Sequence, residues 1–276
     1  MTYTKQNKRG KNQKIFHRPG FFAAVLVWII LIAFFIFYSF GFRLTGFAIT
    51  GQVSSVVLSS TSGTSLTTDN LTVTFNSATS DSGAIKNITN WVKDGSSIAV
   101  VNMPFEGGSN STYTKDYSGL SNTGIVSGAT WNSTGGYDSF GAYVIDASAE
   151  RVQISQSSSL NITNNLTISM WVKPANNTHS SWNYFAARQN FLGYEFGVYN
   201  AGLVPRFKVY NSAGTATEIA AGTMNVGNWH HVAGSVSGSS VRLYLDGEQI
   251  ASSSTFSGPM RASTGALYIG GNTGSG

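Results

Sequence analysis

Few side chains in this chain could do chemistry. Its 276 residues include 12 Asp+Glu, 4 His and no Cys. The missing cysteines remove thiolate nucleophiles, thiolate metal sites and disulfides together. Retaining glycoside hydrolysis needs two carboxyl groups about 5–5.5 Å apart, and same-face neighbours on a strand are two residues apart. Only Asp246 and Glu248 have that spacing, and they straddle Asp246-Gly247, a tight-turn dipeptide. A turn explains the pair, so no catalytic residue is expected and the chain reads as a non-enzyme. His230 and His231 are adjacent, so a strand would send them to opposite faces, unable to share a metal. His231 would lie with Trp229 and Ala233, where packing is expected. Calcium takes hard oxygen ligands from loops. Asp116, Asp138 and Asp146, near strand ends, are its candidates, against a competing role as turn formers. Sugar binding calls for exposed aromatic faces beside amides. Trp182 and Tyr184, with Asn183, Arg188 and Asn190, lie in the polar run NNTHSSWNYFAARQN between two expected strands and are the candidate ligand-binding residues.

The elements that must position these residues read as strands. Leu166, Ile168, Met170 and Val172 alternate with Thr167, Ser169, Trp171 and Lys173, and Pro174 ends the run. Tyr194, Phe196 and Val198 alternate with Glu195, Gly197 and Tyr199. Val241, Leu243 and Leu245 alternate with Arg242, Tyr244 and Asp246, and the Asp-Gly turn leads into Glu248–Ala251. Further strands are expected around Phe207 and Val209 and at Leu267–Ile269. Upstream, Val53–Leu58, Asn70–Phe75 and Asn87–Lys93 are strand-like, and Asp94-Gly95 suggests a hairpin into Ile98–Val101. No stretch from 50 to 276 has helical periodicity. Residues 52–101, with Trp91 as their expected core tryptophan, resemble half of an immunoglobulin-like sandwich.

The charge is uneven. The net +5 comes from Lys5, Lys8, Arg9, Lys11, Lys14 and Arg18; residues 21–276 hold eleven basic against twelve acidic groups, a formal −1. A nucleic-acid footprint needs a basic patch on the folded body, and none is available. Residues 20–42 follow with 23 uncharged residues. About 20 apolar helical residues span a bilayer core, against the shorter apolar stretch of a cleaved signal. A single transmembrane anchor is expected there, with aromatics from Phe35 to Phe42 at its outer end. The basic tail, 1–19, is placed in the cytoplasm and everything after the span outside. A short spacer, 43–51, precedes the strands.

Residues 98–276 resemble the laminin-G-like jelly rolls of the concanavalin-A-like lectin/glucanase superfamily. The resemblance is carried by MPFEGGSNSTYTKDYSG, GATW (Gly128–Trp131), FGAYVID (Phe140–Asp146), SSSLNITNNLTISMWVKP, GNWHHVAGSVSGSSVRLYLDGEQIASS and LYIGG. It implies an antiparallel β-sandwich and makes Trp171 and Trp229 structural. Two departures stand out. Ala147-Ser148-Ala149-Glu150-Arg151 after Asp146 replaces the family's acidic and aromatic run, which weakens an inherited calcium loop. The family pattern also continues past LYIGG with a strand that pairs near the first one, so the jelly roll is expected to be C-terminally truncated, with Ile98–Phe105 an open-edged first strand. The jelly roll would then be an insertion in the immunoglobulin-like domain. The fold expected is all-β: a jelly-roll sandwich, a partial immunoglobulin-like sandwich and one N-terminal transmembrane helix. The function expected is a membrane-anchored surface protein that binds glycan or protein in adhesion. The alternatives are an envelope spacer without specific ligand, or the anchor-proximal part of a larger extracellular glycan-active enzyme.

Overall fold

The computed structural model describes residues 52–64, 69–78, 85–176, 182–189, 192–199 and 202–271. The anchor expected at 20–42 and the tail before it lie outside these residues. Among the described residues no helix is long and apolar enough to cross a membrane.

The chain divides into two compact units, Met1–Ile85 and Lys86–Gly276. In the first, β1 (Gln52–Ser60) and β2 (Leu71–Ala78) pair antiparallel as a two-stranded sheet. β2 has the expected alternation, while β1 is exposed along nearly its whole length, and a bulge between Ser54 and Val57 shifts the register.

The second unit opens with β3 (Val92–Lys93) and β4 (Ser96–Ser97), a hairpin whose turn residues Asp94 and Gly95 both take positive φ, as an Asp-Gly turn requires. The chain then forms β5 (Tyr113–Thr114), β6 (Gly124–Ser127), β7 (Thr130–Asn132), β8 (Ala142–Val144), β9 (Arg151–Ile154), β10 (Leu166–Val172), β11 (Trp182–Arg188), β12 (Tyr194–Tyr199), β13 (Pro205–Tyr210), β14 (Ala216–Ala220), β15 (His230–Ser237), β16 (Ser240–Leu245), β17 (Glu248–Ser253) and β18 (Leu267–Ile269). A large sheet has the order β14-β13-β12-β11-β18-β9-β6-β5, and a small sheet the order β10-β15-β16-β17. All pairs are antiparallel, so the all-β sandwich is observed as expected.

The two sheets close on one core. From the large sheet come Phe196, Phe207, Val209 and Ile154, and from the small one Val232, Val236, Val241 and Leu243, all buried. Phe196 and Phe207 meet edge to face at 5.4 Å. Gly234 on β15 leaves room for the Phe207 ring; a Cβ there would come within 2.7 Å of it. Period-2 alternation therefore fixes which side chains fill the gap between sheets.

Upstream, the strand expected at Asn87–Lys93 is only Val92–Lys93, and further expectations differ from the structure. Ile98–Phe105 forms no strand. Side chains hold its backbone instead: Asp116 Oδ1 accepts Asn102 N–H at 2.9 Å, and Asn122 Nδ2 donates to Val100 O at 2.8 Å. Val100, Val101 and Met103 still pack on the core. Trp91 is 37% exposed and fills no core. β1–β2 and β3–β4 are each two-stranded sheets.

Candidate functional site

On β10 the inward positions Ile168, Met170 and Val172 pack on the core, which sends Thr167, Ser169 and Trp171 to the other face of the small sheet. Trp171 pairs across the ladder with His231 of β15, and their rings meet edge to face at 5.3 Å. Ser169 Oγ and His231 Nε2 are hydrogen-bonded at 2.8 Å. Tyr137, from the loop between β7 and β8, lies flat on Trp171: centroids 3.6 Å apart, planes 6° from parallel. Tyr137 stays 55% exposed and Trp171 44%. Two large rings thus form an outward-facing aromatic platform, with a serine and a histidine at its side.

The loop that delivers Tyr137 is built locally. Phe140 N–H donates to Asp138 Oδ1 at 3.1 Å, Gly136 N–H to Phe140 O at 2.7 Å, and Ser139 takes φ +65°. At Gly141 a Cβ would collide with the Phe105 carbonyl, which also accepts Trp131 Nε1–H at 3.0 Å. Only glycine permits that approach.

Ser169, His231 and Asp246 do not make a catalytic triad. Asp246 Oδ1 accepts the backbone N–H of His231, and Oδ2 accepts Nδ1–H of the buried His230, both at 2.8 Å. His230 Nε2 in turn accepts Asn225 N–H at 3.0 Å, which fixes the proton on Nδ1. Burial pushes the Asp246 carboxyl up, but the His230 hydrogen bond and the His231 amide outweigh it, so the group lies below the usual aspartate value. His231 shares its face with Trp171 and Ser169.

The residues expected to bind ligand are placed elsewhere. Trp182–Arg188 is a strand and not a loop; it pairs with β12 and β18 in the middle of the large sheet. Trp182 pairs with Tyr199; its side chain and all of Asn190 lie outside the described residues. Asn183 is half-buried, opposite Val198. A bulge between Tyr184 and Ala186 puts Tyr184 on the side of Glu195 and Ala186 on the core. Tyr184 is 6% exposed and Arg188 only 1%, so neither presents a face to a ligand. Arg188 Nη2 donates to Gln156 Oε1 and, at 3.2 Å, to Ser263 O. Burial lowers its guanidinium and pushes neighbouring Tyr194 up to about 12.

Around Tyr184 the large sheet carries a second polar group of side chains. Tyr210 Oη donates to Glu195 Oε1 at 3.0 Å, Lys208 Nζ lies 5.2 Å from the Tyr210 ring, and Arg206 pairs with Glu218 at 2.7 Å. Burial first, then the Glu195 charge, raises Tyr184; burial also raises Glu195 itself, against the Tyr210 hydrogen bond and Lys208.

The calcium candidates are not brought together. Asp116 is buried and already accepts the amides of Asn102, Ser118 and Asn122 and the Ser118 hydroxyl. A donor-filled carboxylate has no lone pair left for a cation. Asp138 caps its own loop, and the Asp146 amide donates to Glu150 Oε2. Among the described residues no three His, Asp or Glu side chains are grouped to hold a metal.

Sequence reasoning did not single out Tyr137 and read Trp171 as structural. The signal for Trp171 was its phase, shared with Thr167 and Ser169 against the apolar positions of β10. For Tyr137 it was an aromatic between Gly136 and Asp138 in a polar loop.

The fold is an antiparallel jelly-roll sandwich that carries an outward-facing aromatic pair. Residues 146–276 match the Laminin_G_3 family model, described as concanavalin A-like lectin/glucanases superfamily. No curated protein matches the chain. Among solved structures, the botulinum neurotoxin serotype G binding domain is 16% identical, with a TM-score of 0.50 over 64% of this chain and 44% of that one. The receptor binding domain of botulinum neurotoxin C/D mosaic serotype is 10% identical, with a TM-score of 0.51 over the same shares. At such identity the likeness is one of fold. The match spans less than half the length of either neighbour.

Proposed function

We propose that the chain is a membrane-anchored, outward-facing surface protein whose jelly roll binds carbohydrate on the Tyr137–Trp171 platform, for adhesion and not for turnover. The observation that carries it is the exposed stack itself. Two large apolar rings cost free energy in water, and solvent-facing aromatics flanked by a few fixed polar groups are what a ligand surface needs. The apolar C–H face of a pyranose matches the flat ring, and Ser169 and His231 offer hydrogen bonds to its hydroxyls. Binding without hydrolysis fits the carboxylates: Glu195 is held by Tyr210, and Glu218 by Arg206 and Lys208. The two fold neighbours are themselves binding domains. The anchor rests on the uncharged run 20–42 and its six preceding bases.

The test is glycan-array binding by the full chain in detergent. A set of glycans should bind the parent, and Trp171→Ala should lose them, about tenfold or more in affinity. Retained glycan binding in Trp171→Ala, or no glycan bound by the parent while a surface protein is captured, overturns the carbohydrate reading.

A further inference from the structure

We infer that Lys86 is a positioning residue for the platform: its ammonium clips both ends of the loop that lays Tyr137 on Trp171. The inference rests on the platform being the binding site, but its geometry stands apart from any ligand. The β7–β8 connection, residues 133–141, is longer than the two to five residues usual for a hairpin. A loop of that length needs a tie to present one side chain in one place.

Lys86 supplies that tie. Its Nζ donates to Ser133 O at 2.8 Å and to Ser139 O at 3.0 Å, bonds that bridge 47 and 53 residues of sequence. The third donor goes to Glu106 Oε1 at 2.6 Å. An ammonium has three N–H groups, so all are used, and the two carbonyls bracket Tyr137 on either side. Glu106 completes the clip from below. It is buried, and the same Oε1 accepts the amide of Gly141, the last residue of the loop. The Phe140 ring lies 5.2 Å from Nζ. Lys86 is also the first residue of the second unit, so the side chain that begins the domain holds its exposed loop.

Methionine at this position keeps much of the length and apolar stem of lysine but donates nothing. The two carbonyls would then turn to water, the Glu106 charge would be left unpaired, and the loop would lose its single conformation. Arginine keeps the charge and can still reach several acceptors.

The experiment uses the full chain labelled with 3-fluorotyrosine, in detergent, read by fluorine NMR. The Tyr137 resonance is identified by its absence in Tyr137→Phe. Stacking on indole shifts it away from the other exposed tyrosines. In Lys86→Met the resonance should move to the exposed-tyrosine position, and affinity for a glycan bound by the parent should fall by up to about tenfold, the value of one aromatic stack. Lys86→Arg should restore much of both. Should Lys86→Met fail to fold, Glu106→Gln serves instead: it keeps an acceptor for Gly141 but removes the charge that holds the ammonium, and the resonance should move part of the way. An unshifted Tyr137 resonance in the folded variant overturns the inference. A shifted resonance in a chain that binds no glycan upholds the positioning role and overturns the carbohydrate reading alone.

Discussion

Two aromatic groups outside the core, one over each sheet of the jelly roll, are treated in opposite ways. On the small sheet, Trp171 and Tyr137 stack on each other and remain about half exposed. On the large sheet, Tyr184 is buried beside Glu195, whose carboxylate is held by Tyr210. One face has rings to offer. The other has already spent its polar groups on itself. A satisfied network of buried tyrosine and glutamate makes a scaffold, because every group taken from water must find a partner inside. A solvated ring pair has no such constraint and gains when a ligand covers it. An aromatic beside amides in sequence is therefore a poor marker of a site until its exposure is known.

The comparison can be broken by stability first. Tyr184→Ala should cost about 3–5 kcal/mol in urea unfolding, the range for truncating a buried aromatic. Tyr137→Ala should cost no more than about 1.5 kcal/mol, the value of a surface stack. Equal losses would mean that the loop is as integral to the sandwich as the core.

The pH dependence separates the two faces next. Asp246 is lowered below its ordinary 3.8, so its contribution is present above that value and is lost as pH falls through the folded value. Glu195 is raised above its ordinary 4.5 by burial, so its contribution is full below 4.5 and declines as pH rises through the folded value. In thermal melts from pH 3 to 8, Asp246→Asn should remove the acid-side loss. Glu195→Gln, which keeps an acceptor for Tyr210, should flatten the loss at higher pH. Slopes of the same sign from both variants would undo the contrast.

The smallest effect is expected at the rim of the large sheet. Arg206 and Glu218 form a pair whose side chains are each about one-third exposed. Solvent screens such a pair, and Arg206→Gln should change the unfolding free energy by less than about 1 kcal/mol. A larger loss would extend the buried network outward from Glu195.

Much of the fold was legible along the chain, because strand alternation is a local pattern. The phases of β10, β12 and β16 gave the inward residues, and Asp94-Gly95 and Asp246-Gly247 gave two turns whose φ values are positive as required. Ile98–Phe105 was misjudged as a strand because its apolar residues do pack on the core, while side chains of Asp116 and Asn122 take up its backbone groups. Trp182–Arg188 was misjudged as part of a loop because the Asn, Ser and His residues before it look like a turn, though Phe185 to Ala187 lie mid-sheet.

The sequence by itself determined the class of fold, the uneven charge and the phase that puts Trp171 on the polar face. Each follows from the identity of neighbouring residues. Only the tertiary structure decided that Tyr137 completes the platform, that Lys86 holds it, and that Tyr184 and Arg188 are withdrawn from solvent. Those facts depend on contacts between residues tens of positions apart and on one bulge that reorients a strand. Local pattern carries no information about either.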